Sequence, residues 1–318
     1  MTIQNSPSNA KTTNSAVANL KNGHLVAFPT ETVYGLGADA ENEDAIKRLY
    51  SIKGRPEKHP VIVHIGDRQF INYWSKELPN YANKLIESFW PGPMTLILPR
   101  SSMAKDWITG GQDSVGIRMP SHPVALELLN KFHELGGKGV AAPSANRFGG
   151  VSPTSAQAVI DELGELLGPN DLVIDGGECE IGIESTILDC TGELPKIIRK
   201  GAITEEMLLG VVEIAKTASS VRASGTLPRH YSPRTPVVIN QNPIEGDGLI
   251  AFSSIATPKN VKRLAAPSTI DEFAHDLYKA FRLGDKLQVS RIVVIPPEGD
   301  GIASAIRDRI NRACYQEK

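Results

Sequence analysis

Apolar residues gather in short runs that end in polar or glycine-rich turns, and these runs alternate irregularly with stretches of helical period. His24-Leu25-Val26-Ala27-Phe28 has the length and composition of a buried strand, and Pro29 stops it. Similar runs predict strands at 60–65, 94–98, 114–120, 139–142, 172–174, 185–188 and 197–198. Between them, Ala45, Ile46, Leu49 and Tyr50 share one face of a helix over 41–52, with Asn42 or Glu41 as its cap. A second helix over 80–89 is broken by Trp90-Pro91-Gly92-Pro93. A third over 122–135 aligns Val124, Leu128, Leu129 and Phe132. At least seven strands among three or four helices, irregularly alternated, predict a twisted mixed sheet.

The pattern changes at 219–236, rich in Ser, Gly, Pro and Arg, where Pro228-Arg229-His230-Tyr231-Ser232-Pro233 reads as part of a linker. Beyond it, strands are expected at 237–239, 248–252 and 291–295, with helices over 270–283 and 302–314. Ile270, Phe273, Ala274, Leu277, Tyr278 and Phe281 make the first of these the strongest helical signal in the chain. The expected layout is a loose leader at 1–14, a first α/β domain at 15–212, a linker at 213–236 and a smaller Rossmann-like α/β domain at 237–318.

Composition agrees with two domains: 318 residues, 41% hydrophobic and 22% charged. A net charge of -2 argues against a chain whose main business is coating nucleic acid or membrane. The three cysteines, Cys179, Cys190 and Cys314, lack C-x-x-C spacing and no H-E-x-x-H occurs, so structural zinc is not expected. Three reduced thiols, no apolar leader and no apolar run of the roughly 20 residues that cross a bilayer predict a soluble cytoplasmic protein.

Candidate chemistry lies where the strands end. The segment Phe28 to Gly37 places Thr30, Thr32 and Tyr34 among glycines after the first strand, where an α/β sheet usually opens its crevice. Lys53, Arg55, Arg118 and Arg199 stand at element ends rather than along solvent faces, and Ser144, Asn146, Ser152 and Ser185 add neutral donors in tight turns. Such groups suit a triphosphate or a carboxylate. Each also has a plainer reading. Lys53 and Arg55 fit a solvated loop, Arg118 a structural ion pair, His64 a core histidine, Ser144 and Asn146 turn caps, and His230 and Tyr231 linker packing. One crevice explains all of them together. No G-x-x-x-x-G-K-S/T, G-x-G-x-x-G or G-x-S-x-G occurs, so neither a P-loop, a dinucleotide fingerprint nor a hydrolase elbow is present.

In order along the chain, Pro29-Thr30-Glu31-Thr32-Val33-Tyr34-Gly35-Leu36, Lys53-x-Arg55-Pro56, Val140-Ala141-Ala142-Pro143-Ser144-Ala145-Asn146 and Ser185-Thr186-Ile187 resemble the YrdC-like domain. With His230-Tyr231-x-Pro233 and the small C-terminal domain, the chain resembles the two-domain form of the L-threonylcarbamoyladenylate synthase family over residues 15–318. The resemblance implies a nucleotidyltransferase that makes threonylcarbamoyl-AMP and pyrophosphate from L-threonine, bicarbonate and ATP. It also implies a downstream tRNA threonylcarbamoyl transferase and a weak tRNA contact.

By motif, Thr32, Tyr34, His64, Arg118, Ala142 and Ser185 would surround threonine. Lys53, Arg55, Ser144, Asn146, Ser152 and Arg199 would hold ATP, with Lys53, Arg55, Ser144 and Asn146 as the functional tetrad. Arg229, His230 and Tyr231 would work in the linker as a lid, and Mg²⁺ would arrive with ATP rather than on protein side chains. Where much of the family has Ser-Pro-Gly-Met, this chain has Ala223-Ser224-Gly225-Thr226, which keeps the glycine alone at its place. The alternative is a double-stranded RNA-binding module without ATP turnover, against which the charge balance and the lack of an aromatic stacking platform count.

Overall fold

Fourteen strands and ten α-helices form among residues 5–7 and 10–314, the residues described in a computed structural model of the chain. In chain order the first sheet takes β1 (Asn5–Pro7), β2 (Val26–Phe28), β3 (Gly35–Asp39), β4 (Ile62–His64), β5 (Met94–Pro99) and β6 (Ser114–Arg118). It continues with β7 (Val140–Ala141), β8 (Leu172–Asp175), β9 (Thr186–Asp189) and β10 (Lys196–Arg199). Their spatial order is β1-β8-β2-β3-β7-β4-β6-β5-β9-β10, with parallel and antiparallel neighbours intermixed, as the irregular alternation of runs predicts.

Helices α1 (Ala10–Lys21), α2 (Glu43–Lys53), α3 (Ile71–Trp74), α4 (Asn80–Phe89) and α5 (Asp106–Thr109) accompany the first half of this sheet. They are followed by α6 (Pro123–Glu134), α7 (Ala156–Leu163) and α8 (Glu205–Leu209). Leu49 of α2, Leu85 of α4 and Val159 of α7 share a core with Leu36, Val63 and Leu96 of the sheet. On another side Val17 and Leu20 of α1 pack with Leu128, Leu129 and Phe132 of α6 against Val26 and Ile174. Burial of these apolar faces, at roughly 25 cal/mol per Å², is what holds the helices to the sheet.

The second sheet contains β11 (Val237–Ile239), β12 (Gly248–Ile250), β13 (Lys262–Ala265) and β14 (Ile292–Val294), all parallel in the order β11-β14-β12-β13. Its helices α9 (Ile270–Leu287) and α10 (Ile302–Cys314) pack on the face that carries Ile250, Ile292 and Val294. Leu249 and Val293, on the other face, are covered by Ile255 and Val261 of the connection after β12.

Several expectations are corrected. The stretch 1–14 is not a loose leader where it is described: residues 5–7 pair with β8, and α1 begins at Ala10, while residues 1–4 and 8–9 lie outside the described residues. Thr13, Ala16, Val17 and Leu20 form the buried face of that helix, a narrow stripe among polar residues that composition alone conceals. Gly35 to Asp39, read as part of a turn, is a fully buried strand, because tertiary pairing with β2 and β7 overrides its weak propensity. The polar edge strand β13 is likewise set by pairing rather than by pattern.

Candidate active site

The ends of β4, β6 and β7 meet at one place. Parallel pairing sets His64 opposite Arg118, antiparallel pairing sets His64 opposite Val140, and the Ala142 amide donates to Ile62 O at 3.0 Å. Arg118 therefore enters the interior from a strand end, where its Nη2 donates to Glu31 Oε1 at 2.7 Å and to Thr32 Oγ1 at 3.0 Å. Glu31 accepts from the Ser121 amide with its other oxygen, which fixes the carboxylate. Thr32 is held in turn through Thr30 Oγ1 at 2.8 Å, itself a donor to Val33 O. Burial, with Arg118 nearby, pushes the His64 imidazole down to about 3, so it is neutral at physiological pH.

A second group of cations lies beside it. Lys53, the last residue of α2, turns inward because Gly54 takes the left-handed φ of 61° and ends the helix with its amide on Ser51 O and Tyr50 O. Its Nζ donates to Ser144 O at 2.6 Å and also to Asn146 O. Arg55 Nη2 donates to Pro60 O at 2.6 Å and to Ser224 Oγ at 3.1 Å, with its guanidinium over the Tyr50 and Phe148 rings. Arg199, at the end of β10, grips Ser185 through its carbonyl at 2.9 Å and its hydroxyl at 3.1 Å. The Ser185 hydroxyl also meets Thr95 Oγ1 at 2.8 Å. Among the described residues, Lys53, Arg55 and Arg199 have no carboxylate ion-pair partner and are bonded only to backbone and hydroxyl oxygens. Burial pushes the Lys53 ammonium well down and lowers both guanidinium groups from their ordinary values.

The linker closes over these groups. Gly225 has φ 78°, and a Cβ there would stand 2.1 Å from the Tyr231 hydroxyl and 2.9 Å from Arg199 Nη1, so only glycine fits. Arg199 Nη1 donates to Ser224 O at 3.1 Å, and Tyr231 itself takes a φ of 60°. Ser224, in the stretch that departs from the common family pattern, therefore touches two of the three cations through its hydroxyl and carbonyl. Burial also drives His230 down to about 3.

What remains between linker and sheet is a cavity of about 50 Å³, lined by Thr32, Arg55, His64, Arg118, Ala142, Ser144, Ser185 and Arg199 and roofed by Ser224, Gly225, His230 and Tyr231. Unpartnered buried polar atoms concentrate in its wall: Arg55 Nε, His64 Nδ1, Arg118 Nε, His230 Nδ1 and the Tyr231 hydroxyl. Such atoms cost free energy unless a ligand or water meets them.

Not every expected residue faces this space. Lys53, Asn146 and Ser152 are buried just behind the wall: Asn146 Nδ2 donates to Arg147 O and Gly150 O, and Ser152 Oγ donates to Glu184 Oε1 at 2.6 Å. Tyr34 is turned away from the cavity, its ring in the core and its hydroxyl donating to Gly177 O at 2.8 Å. Arg229 is exposed and absent from the roof, since the chain buries His230 and Tyr231 instead. Glu31 and Glu184 were not singled out from sequence, although Glu31 lies within the first motif.

Fold and cavity together define an α/β protein with a cation-lined cavity at the strand ends of a mixed sheet, covered by the linker. Residues 18–201 match the Sua5/YciO/YrdC family model, described as telomere recombination, and residues 203–314 match the model of the threonylcarbamoyl-AMP synthase C-terminal domain. The chain belongs to the family of two-domain threonylcarbamoyl-AMP synthases. It is 38% identical to the threonylcarbamoyl-AMP synthase of Pyrococcus abyssi over 92% of this chain and 91% of that one. It is 35% identical to that of Bacillus subtilis over 94% and 91%. The crystal structure of P. abyssi Sua5 complexed with L-threonine superposes with a TM-score of 0.87 at 34% identity, covering 99% of this chain and 98% of that one.

Proposed function

We propose that this chain joins L-threonine, bicarbonate and ATP into threonylcarbamoyl-AMP, releasing pyrophosphate, and that its product is consumed by a transferase that moves the threonylcarbamoyl group onto a tRNA adenosine. The observation that carries the reading is a cavity lined by two buried guanidinium groups, Arg55 and Arg199, neither within ion-pair distance of a carboxylate among the described residues, with Lys53 buried behind its wall. Buried unpaired charge is stable only when a counter-charge meets it, and a triphosphate supplies one.

Threonine fits the His64 and Arg118 end. Its carboxylate would meet the Arg118 guanidinium, whose buried Nε has no partner, while Thr32 and Ser185 offer hydroxyls and Ala142 a small wall. The amine attacks the carbon of bicarbonate, water leaves, and a carbamate oxygen then attacks the α-phosphorus as pyrophosphate departs. Negative charge accumulates between the two ends, where Arg55 and Arg199 lie with Lys53 behind them, so catalysis rests on positioning and charge rather than on a protein nucleophile. Lys53 also fixes the Ser144 and Asn146 carbonyls, which shapes the wall.

Mg²⁺ enters this reading as part of the substrate, held on the phosphate oxygens of ATP. Glu31 and Glu184 are already engaged by Arg118 and Arg309, and no cluster of acidic, His or Cys side chains suited to a metal occurs among the described residues. Ser224, Gly225, His230 and Tyr231 of the linker line the same cavity as Arg55 and Arg199, which places the linker where it can cover a bound nucleotide as a lid. Among the described residues no helix is long and apolar enough to cross a membrane. Three free cysteines support a cytoplasmic setting. RNA binding without turnover is not favoured, because the cations of the site are buried rather than displayed.

The test is pyrophosphate release by the full chain with MgATP. Release that requires both threonine and bicarbonate, and falls when serine replaces threonine, is the expected result. Release that ignores threonine would remove the assignment of the Arg118 end.

A further inference from the structure

Glu184 is a carboxylate in the wall of a cavity built for an anion, and by itself it opposes that ligand. Its direct ion-pair partner comes from the other domain. Arg309, on α10, is fully buried, and its Nε donates to Glu184 Oε2 at 2.9 Å. The Tyr278 hydroxyl, on α9, donates to the same oxygen at 3.0 Å. Oε1, the remaining oxygen, accepts from Ser152 Oγ at 2.6 Å. The two carboxylate oxygens are thus divided between the small domain and the site.

The other faces of Arg309 are equally committed. Nη2 donates to Lys200 O at 2.8 Å, beside Arg199, and Nη1 to Asp308 Oδ2 at 2.7 Å. Its guanidinium lies 5.1 Å from the centre of the Tyr231 ring, which also stacks on Tyr278 at 5.7 Å. One residue therefore touches the wall of the cavity and its roof. Burial raises the Glu184 carboxyl, but Arg309 and Arg199 outweigh it and hold the group down to about 2, so it stays ionised.

We propose that Arg309, assisted by Tyr278, is a positioning residue through which the small domain prepares the nucleotide end of the site, by neutralising Glu184, fixing the Ser152 hydroxyl and supporting the Tyr231 ring. The proposal rests on assigning Ser152 and the neighbouring cations to ATP. It gives the second domain a part in the chemistry: without docking, Glu184 draws on Arg199 alone, a cation that would otherwise be left to the incoming triphosphate. A purely architectural ion pair would affect both substrates alike.

The test uses the full chain with Arg309→Met, Arg309→Lys, Tyr278→Phe and Ser152→Ala, reading KM for ATP and for threonine separately. Loss of one buried hydrogen-bonding group predicts an ATP KM raised about tenfold or more in Arg309→Met and several-fold in Tyr278→Phe, with the threonine KM within about twofold. Arg309→Lys should recover part of the ATP affinity. Tyr278→Phe removes one hydroxyl and keeps the ring stack, so it carries the test if Arg309→Met does not fold. Its effect on the ATP KM should be less than additive with Ser152→Ala, since both act through Glu184. Equal increases in the two KM values, or strict additivity with Ser152→Ala, overturn the proposal. A raised ATP KM in Ser152→Ala alone, with Tyr278→Phe and Arg309→Lys unchanged, overturns it while leaving the nucleotide assignment in place. An unchanged ATP KM in Ser152→Ala removes that assignment and the proposal with it.

Discussion

Arg118 shows how a single side chain is prepared before a substrate arrives. Glu31 and Thr32 hold Nη2, while the buried Nε of this cavity-lining side chain has no partner. Lysine at this position keeps the charge but loses the planar fork. Arg118→Lys should raise the threonine KM about tenfold, the equivalent of one charge-assisted hydrogen bond, and leave the ATP KM unchanged. A threonine KM equal to that of the parent protein contradicts the assignment. His64 makes a different prediction. It stays neutral in the fold, at about 3, whereas the unfolded chain binds its proton near the ordinary 6.5. The unfolded state therefore holds more protons between those values, and stability falls as pH drops through that window. His230 and Glu184 act in the same direction, the carboxylate over a lower range. Urea midpoints measured from pH 7 to 4 should decline, and His64→Gln should flatten part of that slope; an unaltered slope means the ring is not the buried neutral group described. The cations and His64 were legible because they stand at element ends. Glu31 and Glu184 were not, because their partners lie 87 and 125 residues away and nothing local marks the pairing.

At the scale of elements, legibility followed the regularity of the pattern. The helix predicted over 80–89 is found there, and the one over 302–314 likewise, because each carries a continuous apolar face. Asn42, rather than Glu41, caps α2 by accepting from the Ala45 amide at 3.0 Å. By contrast β3 reads Gly-Leu-Gly-Ala-Asp and becomes a strand only because β2 and β7 flank it. The linker was visible as a change in composition, but its seating depends on contacts that composition does not carry. Gly225 is the critical point, with its positive φ and the Tyr231 hydroxyl in the space a side chain would take. Gly225→Ala should unseat the linker while leaving the sheet intact. Turnover is expected to fall at least about tenfold with a melting temperature within a few degrees of the parent, on the scale of one strained backbone position. Full turnover in that variant removes the linker from the catalytic cycle.

For the whole molecule, the central feature is that neither domain completes the site by itself. The ten-stranded sheet supplies His64, Arg118 and the cations, the linker roofs them, and α9 and α10 reach Glu184 from the small domain. Two α/β units and a mixed first sheet followed from the alternation of apolar runs, whereas the coupling between the units came into view only in three dimensions. In the proposed reaction, the cavity offers Arg118 to the threonine carboxylate and Arg55 and Arg199 to the phosphates, with the carbamate between them. The most direct test supplies ¹³C-labelled bicarbonate with threonine and MgATP and examines the nucleotide product by NMR and mass spectrometry. The account predicts one labelled carbon in an adduct that joins threonine to AMP, formed together with pyrophosphate. Pyrophosphate and free AMP, or a threonyl adenylate without the label, would contradict it.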